Sequence, residues 1–320
     1  MKKCNKKFIF KPCPFKIILI LIAVIVFFIV PIKISLANPS INVPLDSWVY
    51  PAISRFETLQ AFEGNSIVLN TSPLTRFEIA SLIDTALSNL QKGKVEFKEA
   101  DLLLMDKLVK EFQTELSALD LDNLSHKSTF KIAPYFIQKV DMFKQDKNIE
   151  DLQKMNLLSE LGVKFSTIIS ENSAFYLDAL ARTDFNWVSN TQEMGIPFQA
   201  QIKQAYINLN LPSFKIAISD NISFLPDNIG ISDFYLLVGR DYMRWGPGYQ
   251  GSLMLSDNSP AFDMLKYSGT IDLNDFGGNF GKANFTKIFS LLDSLDEQNR
   301  YFLGQRVEIK PVPTLTLGGI

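Results

Sequence analysis

The residues with the most chemistry in the least chain lie between Val238 and Tyr267. Arg240, Asp241, Arg244, Trp245 and Tyr249 are interleaved there with Gly239, Gly246, Pro247, Gly248, Gly251 and Ser252, and Asp257-Asn258-Ser259-Pro260 follows. Aromatic faces stack on the apolar faces of sugars, while Arg and Asp hydrogen-bond hydroxyls, so this mix suits a sugar polymer. Clustered Gly and Pro also punctuate a chain at tight turns. The same stretch therefore reads as a structural turn with an aromatic anchor, and chemistry alone favours that reading. Asp257 and Asp263 are conceivable as a carboxylate pair for cleaving glycosides. Two acids six positions apart, among 34 acidic residues, carry little weight.

Most other catalytic chemistries lack their residues. His126 is the single histidine and sits in Leu124-Ser125-His126-Lys127, a linker setting. Zinc clusters and Ser-His-Asp triads usually need histidine in a specific setting, so little room is left for either. Both cysteines, Cys4 and Cys13, precede residue 38. A chain cut there has no disulfide, no thiol nucleophile and no thiolate metal site. No cofactor and no metal is expected.

The start of the chain has the layout of an export signal. Six lysines fall within residues 1–16, an apolar run spans Ile17–Ile32, and Ser35-Leu36-Ala37 supplies small residues before Asn38. That predicts a cleaved signal peptide over residues 1–37. An uncleaved membrane anchor is the rival reading, although about 16 apolar residues is short for a span. Residues 1–37 hold seven lysines and no acid, so 25 basic and 34 acidic side chains remain, a net charge of −9. A nucleic-acid partner would want a basic face, so none is expected.

Two kinds of element must position the central stretch. Residues 38–126 read as a helical domain. Asp46 or Ser47 is placed to cap a helix carrying Ile53, Phe56 and Leu59. Thr75-Arg76-Phe77-Glu78 is a capping box. It opens a second helix whose apolar face is Ile79, Leu82, Ile83, Ala86, Leu87 and Leu90, with Gly93 as its stop. A third helix is predicted over 99–119, completing a small bundle.

After about Ser128 the period changes to two. Strands are predicted near 128–140, 159–170, 173–185, 200–210, 214–220, 232–244, 261–271, 283–292, 299–310 and 314–320. Several are long enough to cross a bilayer when tilted, which takes about 9–11 residues. The first connections alternate: 141–160 long, 171–172 short, 186–199 long, 211–213 short, 221–231 long. Long outer loops and short periplasmic turns are the pattern of an outer-membrane barrel.

The stretch 238–267 resembles the core motif of the capsule assembly Wzi family. The matching features are Gly239-Arg240, Trp245-Gly246-Pro247-Gly248, Gly251-Ser252-Leu253 and Leu255-Ser256-Asp257-Asn258. Val43 to Tyr50, followed by Leu74 to Glu78, is similar to the family's amino-terminal segment. It is also similar to the surface-layer homology module that grips cell-wall polymers, though the glycine-rich turn expected there is reduced to Glu63-Gly64-Asn65. The Wzi resemblance implies a mainly β protein, an antiparallel transmembrane β-barrel over residues 127–320 preceded by a periplasmic helical bundle. It implies a non-enzymatic, lectin-like monomer in the outer membrane of a Gram-negative-type cell. Its partners would be capsular or extracellular polysaccharide and outer-membrane lipid. The alternative is a cell-wall-polymer-binding envelope protein with a β-domain.

The family barrel has eighteen strands, whereas nine or ten are predicted here. A carboxy-terminal half beyond Ile320 is therefore expected, with a smaller closed barrel as the alternative. Counting strands from periplasmic helices sends 232–244 inward. Val238 to Tyr267 then closes the barrel floor against the bundle, with Arg240, Asp241 and Arg244 facing the lumen. Sugar contact falls to loops 141–160 and 186–199.

Overall fold

The structure is a computed structural model that describes residues 40–319, apart from 68, 120–129, 145–152, 171, 189–197, 212, 218–227, 247–254, 256–258, 277–280, 293–299 and 313–314. It is mainly β. Helices come first: α1 (Val49–Thr58), α2 (Arg76–Gln91), α3 (Glu99–Glu111) and α4 (Gln113–Leu119), with the short strand β1 (Thr71–Ser72) between α1 and α2.

The capping box works as its residues dictate. The Glu78 amide donates to Thr75 Oγ1 at 3.2 Å, and the Thr75 amide donates to Glu78 Oε2 at 2.6 Å. The stripe predicted for α2 then delivers Ile79, Leu82, Ile83 and Ala86 to a core with Ile53, Phe56, Leu108 and Phe112. Two details differ from expectation. The first helix starts at Val49 with no side-chain cap on its first turn; Ser47 Oγ only accepts the Val49 amide at 3.3 Å. The third helix breaks at Phe112, whose fully buried ring lies 4.5 Å from the Arg76 guanidinium. Arg76 also binds Glu115 Oε1 at 2.6 Å and Glu111 Oε1 at 2.9 Å, clamping the corner from α2.

The sheet consists of β2 (Phe130–Lys144), β3 (Gln153–Ser170), β4 (Ser173–Val188), β5 (Phe198–Leu211), β6 (Phe214–Ala217), β7 (Asn228–Asp241), β9 (Phe262–Asp272), β10 (Lys282–Leu292), β11 (Arg300–Val312) and β12 (Leu315–Gly319). A second short strand, β8 (Arg244–Trp245), pairs with β1 instead. All sheet neighbours are antiparallel, in the order β12-β11-β10-β9-β7-β5-β4-β3-β2, with β6 beside β7. β6 continues the line of β5 against β7 in a single register, Leu211 opposite Phe234 and Phe214 opposite Ile231, so the short turn expected between them is not one. With that strand count reduced by one, β7 runs opposite to the direction expected for 232–244. Among the described residues no ladder joins β2 to β12.

The expected loop 141–160 is mostly ladder. Pairing runs unbroken from Val140 opposite Leu157 to Lys144 opposite Gln153. Polar side chains do not end a hairpin whose backbone groups still pair. Only 145–152 of that loop remains, outside the described residues. The loop 186–199 shrinks in the same way to 189–197.

The register sorts side chains into two faces. One face carries Tyr176, Asp178, Gln204, Tyr206, Asn208, Asp241, Lys266, Thr270, Thr286, Arg306 and Glu308, all buried. The other carries Phe136, Leu161, Ile202, Leu303 and Leu317, exposed by 51–76%. Polar residues are covered and apolar ones uncovered, the reverse of a strand packed in water.

Candidate functional site

Asp241 ends β7 and is fully buried. A buried carboxylate is tolerable only when donors satisfy it. Three do so: Gln204 Nε2 at 2.6 Å, Asn42 Nδ2 at 2.7 Å and the Tyr242 amide at 2.8 Å. Asn42 extends the network. Its amide donates to Tyr206 Oη at 2.9 Å, and its Oδ1 accepts from Asn208 Nδ2 at 3.2 Å. Residues 40–42 are thereby stitched to β5 and β7.

Beyond Asp241 the chain leaves the ladder and crosses the covered face. Trp245 pairs with Thr71, and its amide donates to the Leu255 carbonyl at 2.9 Å. Gly246, at φ +132°, donates to the Asn70 carbonyl at 2.9 Å. The Trp245 indole is fully buried over Gly304, where an added Cβ would stand 2.8 Å from the ring. Met243, Trp245, Leu255, Met264, Ile288, Leu237, Tyr176 and Tyr206 form an apolar cluster set into the polar face. Arg244 carries its guanidinium to 5.5 Å from the Tyr50 ring. Tyr50 in turn donates to the Val43 carbonyl at 2.8 Å and accepts the Leu74 amide at 3.0 Å. The first half of the motif thus meets the helical segment.

Arg240 goes the other way. Alternation puts it on the face opposite Asp241, beside Val238, so it does not share the covered face expected for it. It makes a bidentate pair with Asp263, at 2.8 Å for both nitrogens. Asp263 is therefore engaged as an ion-pair partner. Gly239 has φ +138°, and a Cβ there would overlap the Ala205 carbonyl oxygen on β5. Pro247, Gly248, Tyr249, Gly251, Ser252, Asp257 and Asn258 lie outside the described residues, as does His126.

Several residues at this junction were not singled out in the sequence. Asn284 Nδ2 donates to the Ser66 carbonyl and Lys310 Nζ to the Ile67 carbonyl, both at 2.7 Å. Thr71 Oγ1 reaches Glu308 Oε2 at 3.2 Å. Lys266 is fully buried, with Nζ 4.9 Å from the centre of the Tyr235 ring. It acts electrostatically on Glu78, whose carboxyl burial holds above the usual range while Thr75 and Lys266 pull it back. The available signal was polar residues recurring at every second position of a strand, as in Gln204-Tyr206-Asn208 and Arg306-Glu308. In the segment similar to the surface-layer module, Thr75 and Glu78 are committed to the cap and Arg76 to Glu111 and Glu115.

Residues 228–319, from β7 through β12, match the family model described as capsule assembly protein Wzi. The motif carrying the resemblance falls inside that span, and residues 43–78 fall outside it. The match supports a role in capsule assembly. No curated protein and no solved structure matches the chain.

Proposed function

We propose that this protein binds capsular or extracellular polysaccharide and holds it at the cell surface from the outer membrane, without catalysing a reaction. The reversed polarity of the sheet carries the reading. A band of exposed Phe136, Leu161, Ile202, Leu303 and Leu317 is costly in water and favourable against lipid. Ring contacts on the same face gather near the short-turn end: Phe130–Phe165, Phe165–Phe175, Phe214–Phe234 and Phe234–Phe285. An aromatic girdle at a membrane interface has this form. The Wzi-family match over 228–319 supplies the biological setting.

In this reading residues 1–37 direct export, the helical segment 38–126 lies in the periplasm, and 127–320 lie in the membrane. Gly239 to Gly246, with Leu255, serve as the joint between segment and sheet. Deletion of the gene should release capsule from the cells into the medium, measured as cell-bound against free polysaccharide. The protein should fractionate with the outer membrane and show heat-modifiable mobility. Recovery as soluble periplasmic material would overturn the proposal.

A further inference from the structure

A second cluster lies on the covered face of β2, β3 and β4, away from the motif. Tyr135 on β2 lies over Gly162 of β3, where any Cβ would overlap the hydroxyl end of the Tyr135 ring. The missing side chain at Gly162 is what lets the ring lie against the wall, and Tyr135 stays half-buried. Lys164 Nζ stands 5.3 Å from the ring centre. Tyr135 Oη donates to Asp178 Oδ1 at 2.8 Å, while Asp178 Oδ2 receives no hydrogen bond among the described residues. One step deeper, Tyr176 stacks on Tyr206 at 5.3 Å, and its buried hydroxyl has no partner among the described residues. Tyr242 lies within electrostatic range of Asp178, Glu160 and Asp46. One step further along the strands, Glu160 and Arg182 face each other at 3.9 Å, with the Arg182 side chain 38% exposed. The row thus runs from fully covered at Tyr206 to open at Arg182.

The geometry points to a carbohydrate subsite here, in which the exposed part of the Tyr135 ring stacks a neutral sugar ring and Asp178 accepts a sugar hydroxyl. This rests on the polysaccharide-binding reading and specifies where and what kind of sugar it takes. Flat aromatic faces supply contact area at little entropy cost. The unmet capacity at Asp178 Oδ2 is acceptor-only, so it needs a donor, which a sugar hydroxyl supplies. The Tyr176 hydroxyl offers both a donor and an acceptor beside it. Asp46, Glu160 and Asp178 make the surroundings acid-rich despite Lys164 and Arg182, which disfavours uronic acids.

The test uses the full-length protein in detergent and polysaccharide released from the cells that make it, separated by ion exchange into neutral and acidic fractions. Affinity is measured by calorimetry for the unaltered protein and for Tyr135→Leu, Tyr135→Phe and Asp178→Asn. The neutral fraction should bind the unaltered protein more tightly than the acidic one. Tyr135→Leu and Asp178→Asn should each weaken it by about tenfold, the scale of one stacking contact or one charged hydrogen bond. Tyr135→Phe keeps the ring and should retain most of the affinity. Preserved heat-modifiable mobility shows that a variant is folded. Undiminished binding by folded Tyr135→Leu and Asp178→Asn, or preference for the acidic fraction, overturns the subsite. Absence of binding by the unaltered protein overturns the polysaccharide-binding proposal itself.

Discussion

The helical segment and the sheet solve opposite problems with the same side chains. In the helices Ile53, Phe56, Ile79, Leu82 and Leu108 are buried, while Lys107, Lys110 and Glu111 face outward. In the sheet Lys266, Asp241, Asn208 and Thr286 are buried, while Leu303, Leu161 and Phe136 face outward. The first pattern minimises free energy in water. The second does so only if the outward face meets lipid and the inward face finds polar partners. Where the regions join, hydrogen bonds dominate: Asn42 with Asp241, Asn284 with the Ser66 carbonyl, Lys310 with the Ile67 carbonyl. The joint is a polar seam around one apolar anchor, Trp245.

The sharpest break of this contrast is at Gly239. Its positive φ and the Ala205 carbonyl both oppose a Cβ. Gly239→Ala should cost about 4 kcal/mol or more from strain and overpacking together. The expected outcome is loss of the heat-modifiable band; a normal band would show that β5 and β7 can part. Next is the anchor. Trp245→Ala should cost about 3–5 kcal/mol. It should also make helices α1 to α4 more sensitive to limited proteolysis while the sheet persists. Equal protease sensitivity before and after would remove Trp245 as the link.

Leu303→Arg separates the two solvents directly. On a lipid-facing strand it should cost about 2–4 kcal/mol at mid-membrane, measured by urea unfolding from vesicles. A cost below about 0.5 kcal/mol would mean the face meets water. Thr75→Ala tests the water-facing half and should cost about 1 kcal/mol through loss of the cap, read as helicity on heating.

The smallest effect is acid sensitivity at Asp101. The Arg55 hydrogen bond holds its carboxyl below the usual range. Its contribution is therefore fully present above the ordinary carboxylate value and is lost as pH falls through the depressed one. Asp101→Asn should flatten that acid limb in circular dichroism; an unchanged limb would show that the pair is immaterial.

Both regions were legible in the sequence to different depths. Helix α2 could be read with its cap, stripe and stop because each is local: Thr75, Glu78 and Gly93 act within a turn of their own positions. The strands were legible as alternation, including those that became β9, β10 and β11 to within two residues. Their ends were less so, since polar residues after Val140 suggested a loop while the ladder continued through Lys144. The site was legible as a motif but not as a geometry. Arg240 and Asp241 were expected on one face, yet adjacent residues on a strand point apart, and the register sends only Asp241 inward.

The sequence by itself determined the division into helical and β segments, the scarcity of histidine and cysteine, and the family resemblance around Trp245. Those follow from composition and short-range periodicity. Tertiary structure decided which strands neighbour each other, that Asn42 meets Asp241 across 199 positions, and that Gly162 makes room for Tyr135. It also decided which set of alternating residues is covered. Alternation alone leaves that choice open, because a strand's two faces are equivalent until something packs against one of them.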